Sequence, residues 1–285
     1  MRARPGIALA LLALAVMPGA ARAAGDPNVA ALQIALWGAG TYRSTIDGVR
    51  GPATAAAVRR FQQHHGLAAD GVAGIATRRA LGPRGGPRLG SRTIRPGMRG
   101  WDVGALQFRL AWRGFPNGRF DGGYGSHTEV AVRRFQAWAG LGADGIAGPA
   151  TVAALRQPIR RSPIRLIAPI RAPIGDRFGP RGNGFHPGID FPASSGTPVS
   201  AAGHGSVVFA GWDSGGYGNL VVIAHPLGVR SMYAHLSRIR VRLGQQVVAG
   251  TRVGDVGSTG LATGPHLHFE LRLRDAAIDP LSALR

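Results

Sequence analysis

Gly264-Pro265-His266-Leu267-His268-Phe269-Glu270 decides the reading of the C-terminal part of this chain. Polar and apolar residues alternate through it. In a strand, residues two apart face the same way, so His266, His268 and Glu270 share one face. The stretches before it point the same way. Ser206-Val207-Val208-Phe209-Ala210, Leu220-Val221-Val222-Ile223-Ala224 and Gln246-Val247-Val248 are rich in β-branched residues, and Gly or Pro bounds them. No long helical period is visible beyond about Ile167, which predicts a mainly antiparallel β domain over residues 167–285.

Two further histidine segments precede the first: His186-Pro187-Gly188-Ile189-Asp190 and Tyr233-Ala234-His235-Leu236. The chain has no cysteine, so a metal here would take nitrogen and oxygen ligands. Zinc accepts imidazole and carboxylate, and a catalytic zinc site uses three protein ligands plus a water. One strand histidine alone is ordinarily a core or surface residue. The three segments together ask for more.

His186 with Asp190, the Tyr-x-His-Leu segment and the His-x-His pair resemble the LytM (M23) family of zinc metallopeptidases. Arg177-Phe178-Gly179-Pro180-Arg181 and Gly257-Ser258-Thr259-Gly260 fit the same pattern. The resemblance covers about residues 167–283. It implies one Zn2+ per chain, with His186, Asp190 and His268 as its ligands. It makes His235 and His266 a catalytic pair that stays off the metal. His266 is the choice for general base, with His235 at the oxyanion or the leaving amine, although the two roles are exchangeable on sequence. All five positions are intact, which favours an enzyme over the family's regulatory members.

The only two glutamates are Glu129 and Glu270, and no His-Glu-x-x-His helix exists. Glu270 shares the face of the histidines and is expected to orient or support rather than act as base. His204 and His225 are not expected to be ligands. The residues that bind substrate are not identifiable from sequence.

The N-terminal part is a repeat. Leu32-Gln33 returns as Leu106-Gln107, Ala57-Val58-Arg59-Arg60-Phe61-Gln62 as Ala131-Val132-Arg133-Arg134-Phe135-Gln136, and Ala69-Asp70-Gly71 as Ala143-Asp144-Gly145, always 74 residues apart. Each copy reads as three helices with Asp-Gly turns between them. Thr54 and Thr128 are expected to cap the second helices. The pattern is similar to the peptidoglycan-binding repeat of bacterial wall enzymes, a three-helix module, over residues 26–82 and 99–156. Its aromatic and aliphatic positions read as core, and His64, His65 and His127 as surface. Residues 83–98 read as a linker. Residues 157–166 carry a Pro-Ile-Arg theme and read as a stiff spacer.

Residues 1–23 have the form of a secretory signal peptide: Arg2 and Arg4, an apolar run from Ile7 to Met17, then Ala21-Arg22-Ala23 for cleavage. The run is too short to span a bilayer, and no other stretch is a transmembrane candidate. Every one of the 34 basic residues is Arg, against 14 acidic residues, for a formal charge of +20. Such a field attracts polyanions. Export makes peptidoglycan the expected partner, with anionic wall polymers beside it, and argues against nucleic acid. The expected function is a secreted or cell-envelope zinc endopeptidase that hydrolyses peptide cross-links or bridges of peptidoglycan. The alternative is a non-enzymatic wall-binding activator of another hydrolase.

Overall fold

The computed structural model describes residues 24–285; the signal-peptide reading lies outside them. Six helices come first: α1 Pro27–Gly38, α2 Pro52–His64, α3 Ile75–Ala80, α4 Trp101–Trp112, α5 Ser126–Trp138 and α6 Pro149–Leu155. Proline opens α1, α2 and α6, where its missing N–H costs no helical bond. Asp26 caps α1 by accepting from Asn28 N at 2.7 Å. The two repeats lie against each other through α1 and α4, and Gly104 lets Ile34 approach closely.

Thr54 and Thr128 do not cap. Gly51 and Gly125 hold those positions, and both threonines are buried inside the first helical turn. Their hydroxyls have another task. Gln33 Nε2 donates to Asp47 Oδ1, Val49 O and Thr54 Oγ1, while Gln33 Oε1 accepts from Gly48 N. The same network recurs around Gln62 with Asp70 and Thr77, around Gln107 with Asp121 and Thr128, and around Gln136 with Asp144 and Thr151. Each Asp-Gly turn is thereby locked to the helix before it and the helix after it. A buried amide with its donors and acceptor all engaged fixes a turn more firmly than apolar contact alone.

The rest is β structure, and its paired strands run antiparallel: β1 Gly179–Arg181, β2 Gly184–His186, β3 Ile189–Pro192, β4 Pro198–Ser200, β5 Gly205–Asp213, β6 Gly218–Ala224, β7 Val229–Ala234, β8 Arg238–Ile239, β9 Gln246–Val247, β10 Arg252–Asp255, β11 His266–Leu273 and β12 Ala276–Ile278. The main sheet runs β12-β11-β7-β6-β5-β9, with β3 also on β11. A smaller sheet, β4-β10-β8, and the β1–β2 hairpin complete it. Strand β11 is central: β7 lies along one edge, and β3 then β12 share the other. Leu267, Phe269 and Leu271 face the core with no exposed surface. Phe269 sits opposite Tyr233, with ring centroids 5.4 Å apart.

The Pro-Ile-Arg segment is not a free spacer. Proline takes donors from the backbone but leaves the carbonyls, and Arg113 Nη1 donates to Gln157 O and Pro158 O at 2.7 and 2.6 Å. Arg160 lies over Trp138, and Leu166 N donates to Ala283 O. The repeats also touch the β domain directly. Ala277 N donates to Gly114 O, and a Cβ on Gly114 would meet Ala277 O at 2.2 Å. Only glycine allows that approach.

Candidate metal and catalytic site

Register builds the site. On β11, His268 pairs directly with Asp190 of β3 on one side and with Ala234 of β7 on the other. His235 follows Ala234. His186 ends β2, and the Pro187-Gly188 turn carries the chain from it into β3. A side chain at Gly188 would strike Phe269 O at 2.5 Å and the His268 ring at 2.9 Å, so the tight return over β11 depends on glycine.

Three donor atoms meet. His186 Nε2 is 3.1 Å from Asp190 Oδ1 and 3.0 Å from His268 Nδ1, and His268 Nδ1 is 2.7 Å from Asp190 Oδ1. The outer nitrogens fix the tautomers. His186 Nδ1 is 3.1 Å from the Arg177 carbonyl, which only accepts, so Nδ1 carries the proton and Nε2 a lone pair. His268 Nε2 is 3.1 Å from Glu270 Oε1, so its proton sits there and Nδ1 is bare. Two imidazole lone pairs and a carboxylate thus converge, which is unfavourable without a cation between them.

The electrostatics agree. Burial opposes charge on His268, but its bonds to Asp190 and Glu270 outweigh this and push its pKa up to about 9. Burial raises the Asp190 carboxyl, yet the neighbouring His186 and His268 hold it well below the usual carboxylate range. The place calls for positive charge. A tetrahedral zinc spaces its ligand atoms by about 3.3 Å. The observed triangle is slightly tighter, and the donor set fits that ion.

His235 and His266 lie beside this triangle, with ring centroids 4.8 Å apart. His266 Nε2 is 3.8 Å from Asp190 Oδ1. Each ring commits Nδ1 to a backbone carbonyl, His266 to Gly264 O and His235 to Thr259 O, both at 2.8 Å. Each neutral ring therefore presents a bare Nε2. Burial lowers the proton affinity of His235, which keeps it neutral. His235 has φ +60°, a left-handed conformation that costs a non-glycine residue on the order of 1–3 kcal/mol.

A cleft of about 670 Å3 opens over these side chains. The Gly215-Gly216-Tyr217 turn forms one wall, Leu261 to Pro265 another, and Arg181 stands at its edge. None of the lining residues comes from the repeats. Glu270 is fully buried; besides His268 it meets the Tyr217 hydroxyl, and Arg272 Nε at 2.9 Å. Burial raises its carboxyl, but His268 and Arg272 bring it down to about 2. Sequence reasoning singled out Glu270 but not Tyr217 or Arg272. The only signal for Tyr217 was its place between two glycines. His225 lies apart from the triangle, bonded to His204 O and Ser231 Oγ, both at 2.7 Å.

Parts of this chain are similar to known proteins. The model of peptidase family M23 matches residues 184–280, and the peptidoglycan binding domain model matches residues 25–81 and 99–155. The DD-carboxypeptidase/endopeptidase Mpg of Neisseria meningitidis serogroup B is 45% identical over 115 residues, which is 40% of this chain and 26% of that protein. Lysostaphin of Staphylococcus simulans is 42% identical over 107 residues, 36% of this chain and 22% of that protein. The solved catalytic domain of that lysostaphin is 39% identical, covering 39% of this chain and 90% of the domain, with a TM-score of 0.38. The chain thus spans about a quarter of the length of these two curated relatives. The chain carries a peptidase family M23 domain in its C-terminal β region, with two peptidoglycan-binding domains ahead of it.

Proposed function

We propose that the chain is an exported, zinc-dependent endopeptidase that cuts peptide cross-links or bridges of peptidoglycan. In this reading the peptidase unit is residues 167–285, and the repeats at 26–82 and 99–156 hold it on the wall. The observation that carries the proposal is the convergence of His186 Nε2, Asp190 Oδ1 and His268 Nδ1 within 2.7–3.1 Å, each tautomer set so that a lone pair faces inward.

His186, Asp190 and His268 would hold the ion. Zinc bound there lowers the pKa of a water and polarises the scissile carbonyl. The remaining steps belong to the protein. His266 presents its bare Nε2 beside Asp190 and takes the proton of the attacking water. His235 faces the same cleft and, once protonated, donates from Nε2 to the oxyanion or returns the proton to the leaving amine. Because both rings are the same tautomer, the order of the two roles is open to exchange. Glu270 keeps the proton of His268 on its outer nitrogen.

Release of soluble muropeptides from purified sacculi tests the reading. Metal-loaded wild type is expected to release them, and chelation or His268→Ala to abolish release. A metal-loaded protein that binds sacculi yet cuts no wall chemotype would instead be a binding module or activator.

A further inference from the structure

The β1–β2 hairpin carries His186 at one end and Arg181 beside its turn, and the helical repeats grip that turn from two sides. Ile46 N, from the first repeat, donates to Gly182 O at 2.9 Å. Phe120 N, from the second, donates to Asn183 O at 2.6 Å. Beneath the hairpin, Trp112 at the end of α4 packs edge-on against Phe178 and Phe185, with centroids 6.1 and 5.4 Å away. Phe178 and Phe185 meet each other at 5.0 Å. Trp112 is 4% exposed and Phe178 is 3% exposed. A Cβ added at Gly179 would meet the Trp112 ring at 3.7 Å. The hairpin is only three residues a side and, among the described residues, pairs with no other strand. Two-stranded ribbons of this size do not hold their shape alone in water.

We infer that the repeats are a working part of the catalytic centre as well as an anchor, and that Trp112 is a positioning residue for His186. The ring supports Phe178 and Phe185. They set the path of the hairpin, and the hairpin places both Arg177 O and His186, which meet through the His186 Nδ1 hydrogen bond. A shift of the hairpin would turn one donor of the triangle away while leaving Asp190 and His268, which are fixed by β3 and β11, in place. The indole N–H of Trp112 has no protein acceptor, so its contribution is the ring contact, and phenylalanine can supply much of it. This inference rests on the metal-site reading only for its affinity readout.

The test uses the full-length chain. Zinc affinity, read by chelator competition, is expected to fall about 10-fold in Trp112→Ala, as when an orienting neighbour of a ligand is lost. Leu106→Ala is the control, because Leu106 belongs to the separate core of the second repeat; its affinity should stay at the wild-type value. Trp112→Phe should restore affinity. Amide exchange should quicken across residues 179–186 in Trp112→Ala and remain unchanged in β6 and β7. Should Trp112→Ala not fold, Trp112→Leu serves both measurements. Equal affinity loss in Trp112→Ala and Leu106→Ala, or unaltered exchange in the hairpin, overturns the inference. A wild type that binds no zinc sinks the metal reading instead, and the exchange measurement still decides whether the repeats hold the hairpin.

Discussion

Glu270 illustrates how one buried carboxylate governs a site it does not enter. It accepts from His268 and the Tyr217 hydroxyl and is neutralised by Arg272, so its charge is matched without solvent. Its presence on the face of His266 and His268 was legible from alternation alone. Its partners were not. Tyr217 comes from the β5–β6 turn, 53 residues away in sequence, and no local pattern announces such a meeting. Glu270→Gln keeps the volume but removes the charge that pins the His268 tautomer. Zinc affinity should fall about 10–100-fold, read by chelator competition, with the fold intact by circular dichroism. Asp255 shows the same matching far from the cleft. Burial raises its carboxyl, but Arg240 and Arg252 outweigh this and hold it below the ordinary range. A carboxylate lowered in the folded state stabilises fully above its unfolded pKa of about 3.9 and loses that contribution as pH falls through the folded value. Melting temperature should therefore drop below about pH 4 in wild type. Asp255→Asn should lie lower at neutral pH and lack this part of the acid decline.

At the level of elements, the helical repeats were legible in number and order because a constant 74-residue offset needs no structural knowledge. The finer unit was not. Four Gln–Asp–Thr networks make each repeat itself twofold, with the second helix serving both halves. The threonine always follows the aspartate by seven positions, but Gln33 precedes Asp47 by 14 and Gln62 precedes Asp70 by only eight. The uneven gap hides the likeness, and it explains why Thr54 and Thr128 read as caps. A threonine near a helix start is ordinarily a cap; here a buried glutamine competes for the hydroxyl. Gln136→Ala should strand the Gly145 N–H, remove the donor to Thr151 Oγ1 and destabilise the chain by about 3 kcal/mol, read from the denaturant midpoint. The strands of the β domain were read from their β-branched runs, whereas the register that sets His268 opposite Asp190 became visible only with the sheet assembled.

Across the whole molecule, one buried apolar cluster runs from α1, α2 and α4 into Phe178, Phe191, Tyr233 and Phe269 of the β domain. Separate modules joined by spacers were the sequence expectation; docking was not legible, because Trp112 has the pattern of a helix-core residue and the Pro-Ile-Arg segment that of a linker. Domains that share a core unfold together. Calorimetry of the full chain should give a single transition with matching calorimetric and van't Hoff enthalpies; separated repeat and peptidase transitions would contradict the shared core. The same junction offers an optical handle. Of the five tryptophans, Trp112 lies against Phe178 and Phe185, and Trp138 donates its indole N–H to Leu273 O, so two native fluorophores sit at the seam between helices and sheet. Any loosening of that seam on the wall would wet both rings and redden their emission, reporting the event without an attached dye.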